Sequence, residues 1–445
     1  MTTLARPALA ADHAARGRGD EMDLAVQIGL ALFYAYMLIP ARVMEATSLF
    51  RLEAPDAARR YGIGYPYFTV LELLMVAYVL LVRGTGRVPR AAPNWGLRLY
   101  LGVGVLCALW LWARCALAGQ PMFWDGPLAA LRLGVVYALF VSLPIDNARR
   151  IRAVQNGLLL LFVISFILNL GGFANQLHAR ANLAGRMTAA GFDYSTTGYW
   201  GCGLALVSLT LATGRRQALL LAAGLFAATM AGARNPFALF VVCVLLTIYL
   251  QRGLGKAAAC VLVALALAAG LTALVAPSAF GRLPLFARSL DDPLVYGQGV
   301  SPTAETLRLL PFLRAAPPQS PAVLGRINTW LRSARLVPAA LWEPLGSDWL
   351  VQVRLREVGA LSHAHNGYLQ TLLKFGVLAV PIWLTLAVGL WRGLRARSPY
   401  ASLLLFLMAS LLVDYWLLVI KSAFLFLAVV WLNDQWMRDQ RRSRP

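Results

Sequence analysis

The segment Ser362-His-Ala-His-Asn-Gly-Tyr-Leu-Gln-Thr-Leu-Leu-Lys-Phe-Gly376 concentrates groups that do chemistry. The chain of 445 residues has four histidines, His13, His178, His363 and His365, and two of them share one tripeptide. An imidazole titrates near neutrality, so His365 suits a general base that takes a proton from an attacking hydroxyl. The spacing predicts a helix at or entering a membrane surface, with Leu369, Leu372 and Gly376 on one face below His365. The plainer alternative is an interfacial histidine held by a backbone carbonyl. His363 and His365 diverge on a helix and no third ligand stands near them, so no metal site is expected.

Arginines supply the second set of candidates. Arg234 lies in the hairpin Ala231-Gly-Ala-Arg-Asn-Pro236 between two apolar runs. Pro236 suits the first turn of the next helix and Asn235 its cap, which puts Arg234 beside free helix N–H groups. A guanidinium there makes an anion site, or else it snorkels to lipid headgroups. Arg326 and Trp330, four apart in Gly325-Arg-Ile-Asn-Thr-Trp-Leu-Arg332, share a helix face. They suit a pyrophosphate or a sugar, or simply stack on each other. Glu72, Arg132 and Asp414 fall inside apolar runs, where ionisable groups face a cavity or a partner, and an Arg132–Glu72 pair is one arrangement.

The elements that must carry these residues follow from composition. Hydrophobic residues make up 59% of the chain and charged residues only 14%, yet the net charge is +21. A soluble domain so apolar cannot cover itself, and a nucleic-acid binder of that charge carries more charged residues, so no nucleic-acid partner is expected. Apolar runs long enough to cross about 30 Å of hydrocarbon recur, separated by short Arg-bearing breaks. The chain therefore reads as an all-α polytopic membrane protein. Twelve spans are expected near 24–40, 66–83, 98–113, 126–144, 157–172, 199–213, 217–232, 236–251, 257–276, 376–391, 401–417 and 422–436.

Sidedness supports that count. Segments on one side, from Arg87 to the tail at Arg444, hold 16 basic residues against the acids Asp146 and Asp439. The positive-inside rule makes that side cytoplasmic, together with both termini. Residues 1–23 lack the apolar core of a signal peptide and read as a cytoplasmic tail, with 437–445 a second, basic tail. Residues 24–276 hold the first nine spans, and 365–436 an interfacial helix and the last three. Between them, 277–364 is too polar to span and too long for a casual connection, and reads as an ordered external subdomain. Pro317, Pro318 and Pro321 divide it, helical spacing runs from Arg326 to Leu341, and a turn follows at Pro344–Ser347. The five cysteines show no CxxC or metal-ligand spacing, so no disulfide framework is expected. The basic residues are nearly all Arg, with Lys only at 256, 374 and 421, which suits a GC-rich genome as well as phosphate recognition.

Twelve spans, a long external segment before the tenth, and His365-Asn366-x-Tyr368-Leu369-x-x-Leu372-x-x-x-Gly376 together resemble the O-antigen ligase and polymerase family. The ligase signature runs His, then Asn, Ser or Gln, nine residues, Gly, two residues, and Gly, Thr or Tyr; His365, Asn366 and Gly376 match it and Ala379 departs. Gly232-Ala-Arg234 is similar to the family's small-residue-plus-Arg hairpin, and Arg326-x-x-x-Trp330 with Pro344-Leu-Gly346 to its second loop element. The likeness runs from about 220 to 420.

The resemblance implies a metal-independent, inverting glycosyltransferase of the membrane-embedded GT-C type in the bacterial inner membrane, with no cofactor. It would move a glycan from an undecaprenyl-diphosphate carrier to a hydroxyl on the periplasmic face. His365 would be the catalytic base, with Arg234, Arg326, Asn366, Arg132, Trp330 and Tyr368 on the substrates. A ligase would use the lipid A core as acceptor, in lipopolysaccharide biosynthesis; a polymerase would use a growing glycan. A protein O-glycosyltransferase fits less well, because the chain stops nine residues after its last expected span. A lipid-linked oligosaccharide transporter is the non-enzymatic alternative, in which buried Arg and Glu line a pathway. Neither broken helices nor symmetry between the halves favours it.

Overall fold

A computed structural model describes residues 23–39, 48–51, 67–85, 95–120, 122–143, 194–211, 214–231, 234–251, 254–275, 321–360, 363–412 and 429–438, with isolated positions between 153 and 167. Asp414, residues 276–320, the expected N-terminal tail but for Asp23, and the last residues of the expected C-terminal tail lie outside the described residues.

The described residues are mostly helical. Helices α1 (Asp23–Leu38) and α2 (Val70–Gly84) flank a two-stranded antiparallel sheet of β1 (Ser48–Arg51) and β2 (Tyr67–Thr69). Then come α3 (Trp95–Leu117), α4 (Asp125–Ser142), α5 (Tyr194–Leu211), α6 (Gly214–Ala231), α7 (Arg234–Gln251) and α8 (Leu254–Val275). The C-terminal half has α9 (Pro321–Trp342), α10 (Asp348–Glu357), α11 (Gly367–Phe375), a 3-10 turn Gly376–Leu378, α12 (Ala379–Arg395), α13 (Ala401–Ser410) and α14 (429–438).

Among the described residues, three helices are long and apolar enough to cross a membrane: Arg98–Leu117, Asp125–Ser142 and the run Gly367–Arg395. The first has 20 residues, about 30 Å of helix. Leu106, Leu109 and Trp110 of α3 and Leu384 and Trp391 of α12 are more than half exposed, a surface that suits hydrocarbon better than water. Asp23–Leu38, Ala258–Leu271 and Ala401–Ser410 are shorter apolar helices.

Two expectations need correction. The all-α reading fails locally: residues 67–69, assigned to the second span, pair with β1, and the helix starts at Val70. Thr69 ends the strand because its hydroxyl accepts the Glu72 N–H while the Glu72 carboxylate accepts the Thr69 N–H, closing a capping box. Pro321, expected as punctuation, instead opens α9, where its missing N–H costs nothing.

The largest core joins α1, α2, α4, α5, α6, α7, α8, α13 and α14 around Phe33, Met75, Leu139, Phe226 and Phe406. Helices α5 and α6 meet backbone to backbone: a Cβ on Gly201 would stand 2.7 Å from the Gly224 carbonyl oxygen. A separate cluster of Val103, Cys107, Phe375, Ala379 and Ile382 binds α3 to α11 and α12. A third, with Ala340, Val351, Leu355, Ala364 and Leu373, packs α9 and α10 onto α11. The described part of segment 277–364 is thus seated directly on the helix that follows His365. All five cysteines are free.

Candidate active site around His365

His365 does not lie on the helix as the spacing suggested. The helix begins at Gly367, and Asn366 is its N-cap: its backbone is extended and its side-chain oxygen accepts the Leu369 N–H at 2.9 Å. His365 therefore stands on the turn before the helix, with φ of 48°. This left-handed region disfavours any residue with a Cβ, although His enters it more often than most.

Contacts from three elements fix that turn. Gln370 of α11, fully buried, accepts the Ala364 N–H at 3.0 Å. Trp330 of α9 donates its indole N–H to the His365 carbonyl at 3.2 Å. Gly367 donates to the carbonyl of Leu411, just past the end of α13, at 2.7 Å, and the Asn366 amide donates to the carbonyl of Leu412 at 3.1 Å. The Tyr368 hydroxyl donates to the Met408 carbonyl in α13 at 2.9 Å, and its ring meets Trp383 of α12 edge-on. Asn366 and Tyr368, expected on a substrate, thus use their described polar contacts to tie α11 to α13.

His363 sits behind His365, with ring centroids 6.4 Å apart and planes at 89°. Burial first, then the electrostatic influence of His365 and Arg356, lowers its pKa from the ordinary 6.5 to about 4, so it is neutral at pH 7. Arg332 of α9 donates to the carbonyl of Gly359, holding the turn that leads from α10 toward the histidines. Among the described residues no group of three His, Cys, Asp or Glu side chains is placed to hold a metal ion.

Beneath the turn lies a buried polar network that the sequence reading missed. Lys374, near the C-terminal end of α11, is 7% exposed and pairs with Asp348 at 2.7 Å. Asp125, the first residue of α4, accepts the Ser347 hydroxyl at 2.6 Å and the Trp349 N–H at 3.0 Å. Leu345 and Gly346 donate their N–H groups to the carbonyls of Leu373 and Lys374 at 3.1 and 2.9 Å. The expected turn at Pro344–Ser347 therefore joins three elements. Gly346, at φ 68°, lies against α3, where a Cβ would stand 2.5 Å from the Cys107 carbonyl oxygen. Two signals for this network were present: Ser347-Asp348 is a helix-start pair, and Lys374 is one of only three lysines.

Gly376, matched above on spacing alone, has a physical reason. Its φ is 60°, and a Cβ would stand 2.6 Å from the Leu341 carbonyl oxygen and 2.7 Å from that of Ala340. Only glycine lets the end of α9 close onto the break between α11 and α12. The structure thus brings Trp330, the Leu345–Gly346 turn, His365, Asn366, Tyr368 and Gly376 into one assembly.

The arginines stand differently. Arg132 is buried within α4 and its Nε lies 2.7 Å from Glu72 Oε1. The same Glu72 oxygen accepts the Tyr36 hydroxyl at 3.0 Å. The pairing weighed from the sequence is present. Helix α7 begins at Arg234, so Asn235 and Pro236 lie within its first turn and Asn235 is not the cap. Arg326 lies in α9 one turn before Trp330. The side chains of Arg234 and Arg326 fall outside the described residues.

No family model matches the chain, and no curated protein matches it.

Proposed function

We propose that this chain is a polytopic glycosyltransferase of the bacterial inner membrane, of the O-antigen ligase type. It transfers a glycan from undecaprenyl diphosphate to a hydroxyl of the lipid A core on the periplasmic face. One observation carries the reading: a histidine in a left-handed turn, clamped by contacts from α9, α11 and the end of α13, at the head of an apolar run of spanning length. Backbone strain held in place by surrounding bonds is a mark of functional sites.

The reaction needs little else. The acceptor oxygen attacks the anomeric carbon, the carbon–oxygen bond to the diphosphate breaks, and its electron pair leaves on the lipid diphosphate. The acceptor proton passes to the His365 imidazole. Diphosphate is a good leaving group whose charge needs neutralising, which is the role we give to Arg234 and Arg326. Arg132, committed to Glu72, belongs to the frame in this reading. Twelve spans with both termini cytoplasmic put the His365 end of α11 on the periplasmic side.

A second reading, a polysaccharide polymerase with the same donor, is favoured by Ala379. It is fully buried where the ligase signature has Gly, Thr or Tyr. The test is transfer in proteoliposomes from an undecaprenyl-diphosphate-linked oligosaccharide, with lipid A core present. Glycosylated core that disappears in His365→Ala is the expected result. Lengthened lipid-linked glycan identifies the polymerase, and wild-type turnover by His365→Ala refutes the mechanism.

A further inference from the structure

The backbone of residues 363–367 is bonded at Ala364, His365 and Gly367 by groups from outside the turn. Gln370 takes the Ala364 N–H, Trp330 gives to the His365 carbonyl, and the end of α13 takes the Gly367 N–H. Of these, the Trp330 contact is the one made directly to His365, and it comes from the external segment rather than from a span. A residue at φ 48° relaxes toward the extended or right-handed region unless its neighbours hold it. Leaving the left-handed region changes φ and ψ of His365 together, which would swing its carbonyl away from Trp330 and re-aim the imidazole. Trp330 is half-buried, and the helix around it is packed: Thr329 and Ser333 are buried, with Ser333 donating to the Thr329 carbonyl at 2.6 Å. The helix carrying it is locked against Gly376 at its far end.

We infer that Trp330 is a positioning residue, whose indole N–H holds the His365 backbone in the left-handed turn that aims the imidazole at the acceptor hydroxyl. This rests on the transfer reaction proposed above and gives Trp330 a role distinct from stacking on sugar or pyrophosphate. It also makes catalysis depend on the external segment being seated on α11. Misaiming a base lowers the rate at saturation and leaves donor affinity alone, because the loss is in orientation rather than in contact.

The test compares wild type, Trp330→Phe, His365→Ala and the double variant in the same undecaprenyl-diphosphate oligosaccharide assay. Phe keeps a ring and loses the N–H. Replacing Trp330 by 3-benzothienylalanine keeps the bicyclic shape and loses only the donor, which covers the case where the Phe variant folds poorly. The expected result for either is a fall in kcat of about tenfold with donor KM within twofold. The melting temperature of the benzothienyl variant should fall by no more than the few degrees that the loss of one hydrogen bond accounts for. Adding Trp330→Phe to His365→Ala should leave the affinity for the lipid-linked donor unchanged, since a residue acting only through His365 does not touch the donor. Full kcat in the benzothienyl variant, or a rise in donor KM as the main effect, overturns the inference while leaving His365 as base. Wild-type turnover by His365→Ala overturns the transfer mechanism, and this inference with it.

Discussion

Arg132→Met is the sharpest probe of how the spans are held together. The guanidinium and the Glu72 carboxylate are 3% and 0% exposed and stand 2.7 Å apart. At an effective dielectric of about 20, that separation corresponds to a gross attraction of about 6 kcal/mol, most of it offset by the cost of taking both charges out of water. Removing the arginine alone forfeits the attraction and keeps the cost for Glu72, which among the described residues retains the Tyr36 hydroxyl and the Thr69 N–H. The expected loss is about 3–5 kcal/mol. Removing both charges, as Arg132→Met with Glu72→Leu, should return the protein to within about 2 kcal/mol of wild type, because apolar groups of similar volume need no compensation. The assay is a sodium dodecyl sulfate titration in mixed micelles followed by tryptophan fluorescence, with glycan transfer measured on each variant. A single-variant loss below about 1 kcal/mol, or a double variant as unstable as the sum of the singles, refutes the pairing argument. A folded double variant that no longer binds the lipid-linked donor would refute the assignment of Arg132 to the frame.

Gly376→Ala must place a Cβ at φ 60° within 2.7 Å of two backbone oxygens of α9. It should destabilise by about 2–4 kcal/mol in the same titration, combining left-handed strain and overpacking, and an unshifted midpoint would refute the account of that glycine. For His363 the folded pKa of about 4 lies below the ordinary 6.5. The unfolded chain therefore binds the extra proton first, and the stability this residue contributes is full above pH 6.5 and drains away as pH falls toward 4. His363→Gln should remove up to about 3 kcal/mol of that acid-side dependence; identical pH curves for variant and wild type would refute it.

Hydrophobic patterning made the helices legible, because a run that must lie in hydrocarbon is continuous and its breaks are polar. The Arg132–Glu72 pair was one arrangement that the apolar runs allowed, but which partner each buried charge meets was not readable from the sequence. The register around His365 was misjudged although its signal was local. Asn366 precedes Leu369 by three and is a stronger helix start than the periodicity that extended the helix back to His365. The β1–β2 pair was not legible, since seven residues at most carry it and its connection is long. Neither was the link from Asp125 to Ser347, which are 222 residues apart. Nothing in a single sequence tells which of several polar residues at span ends meet across such a distance.

That link bears directly on the chemistry. A base on an exposed loop would take its aim from the loop alone, whereas the turn that carries the proposed base is fixed from two directions. From one side, Asp125 at the head of α4 fixes Ser347 and Trp349, and Leu345 and Gly346 hydrogen-bond to the end of α11. From the other, α13 takes the Gly367 N–H and the Tyr368 hydroxyl at the start of α11. Helix α11 is thus held at both ends by elements that continue into apolar helices, and α9, locked at Gly376, reaches back along it to His365 through Trp330. Breaking the Asp125–Ser347 bond should therefore loosen Trp330 on His365 without touching either residue. The sequence-distant polar contacts serve the site by fixing the spacing between α9 and α11 on which that single indole hydrogen bond depends.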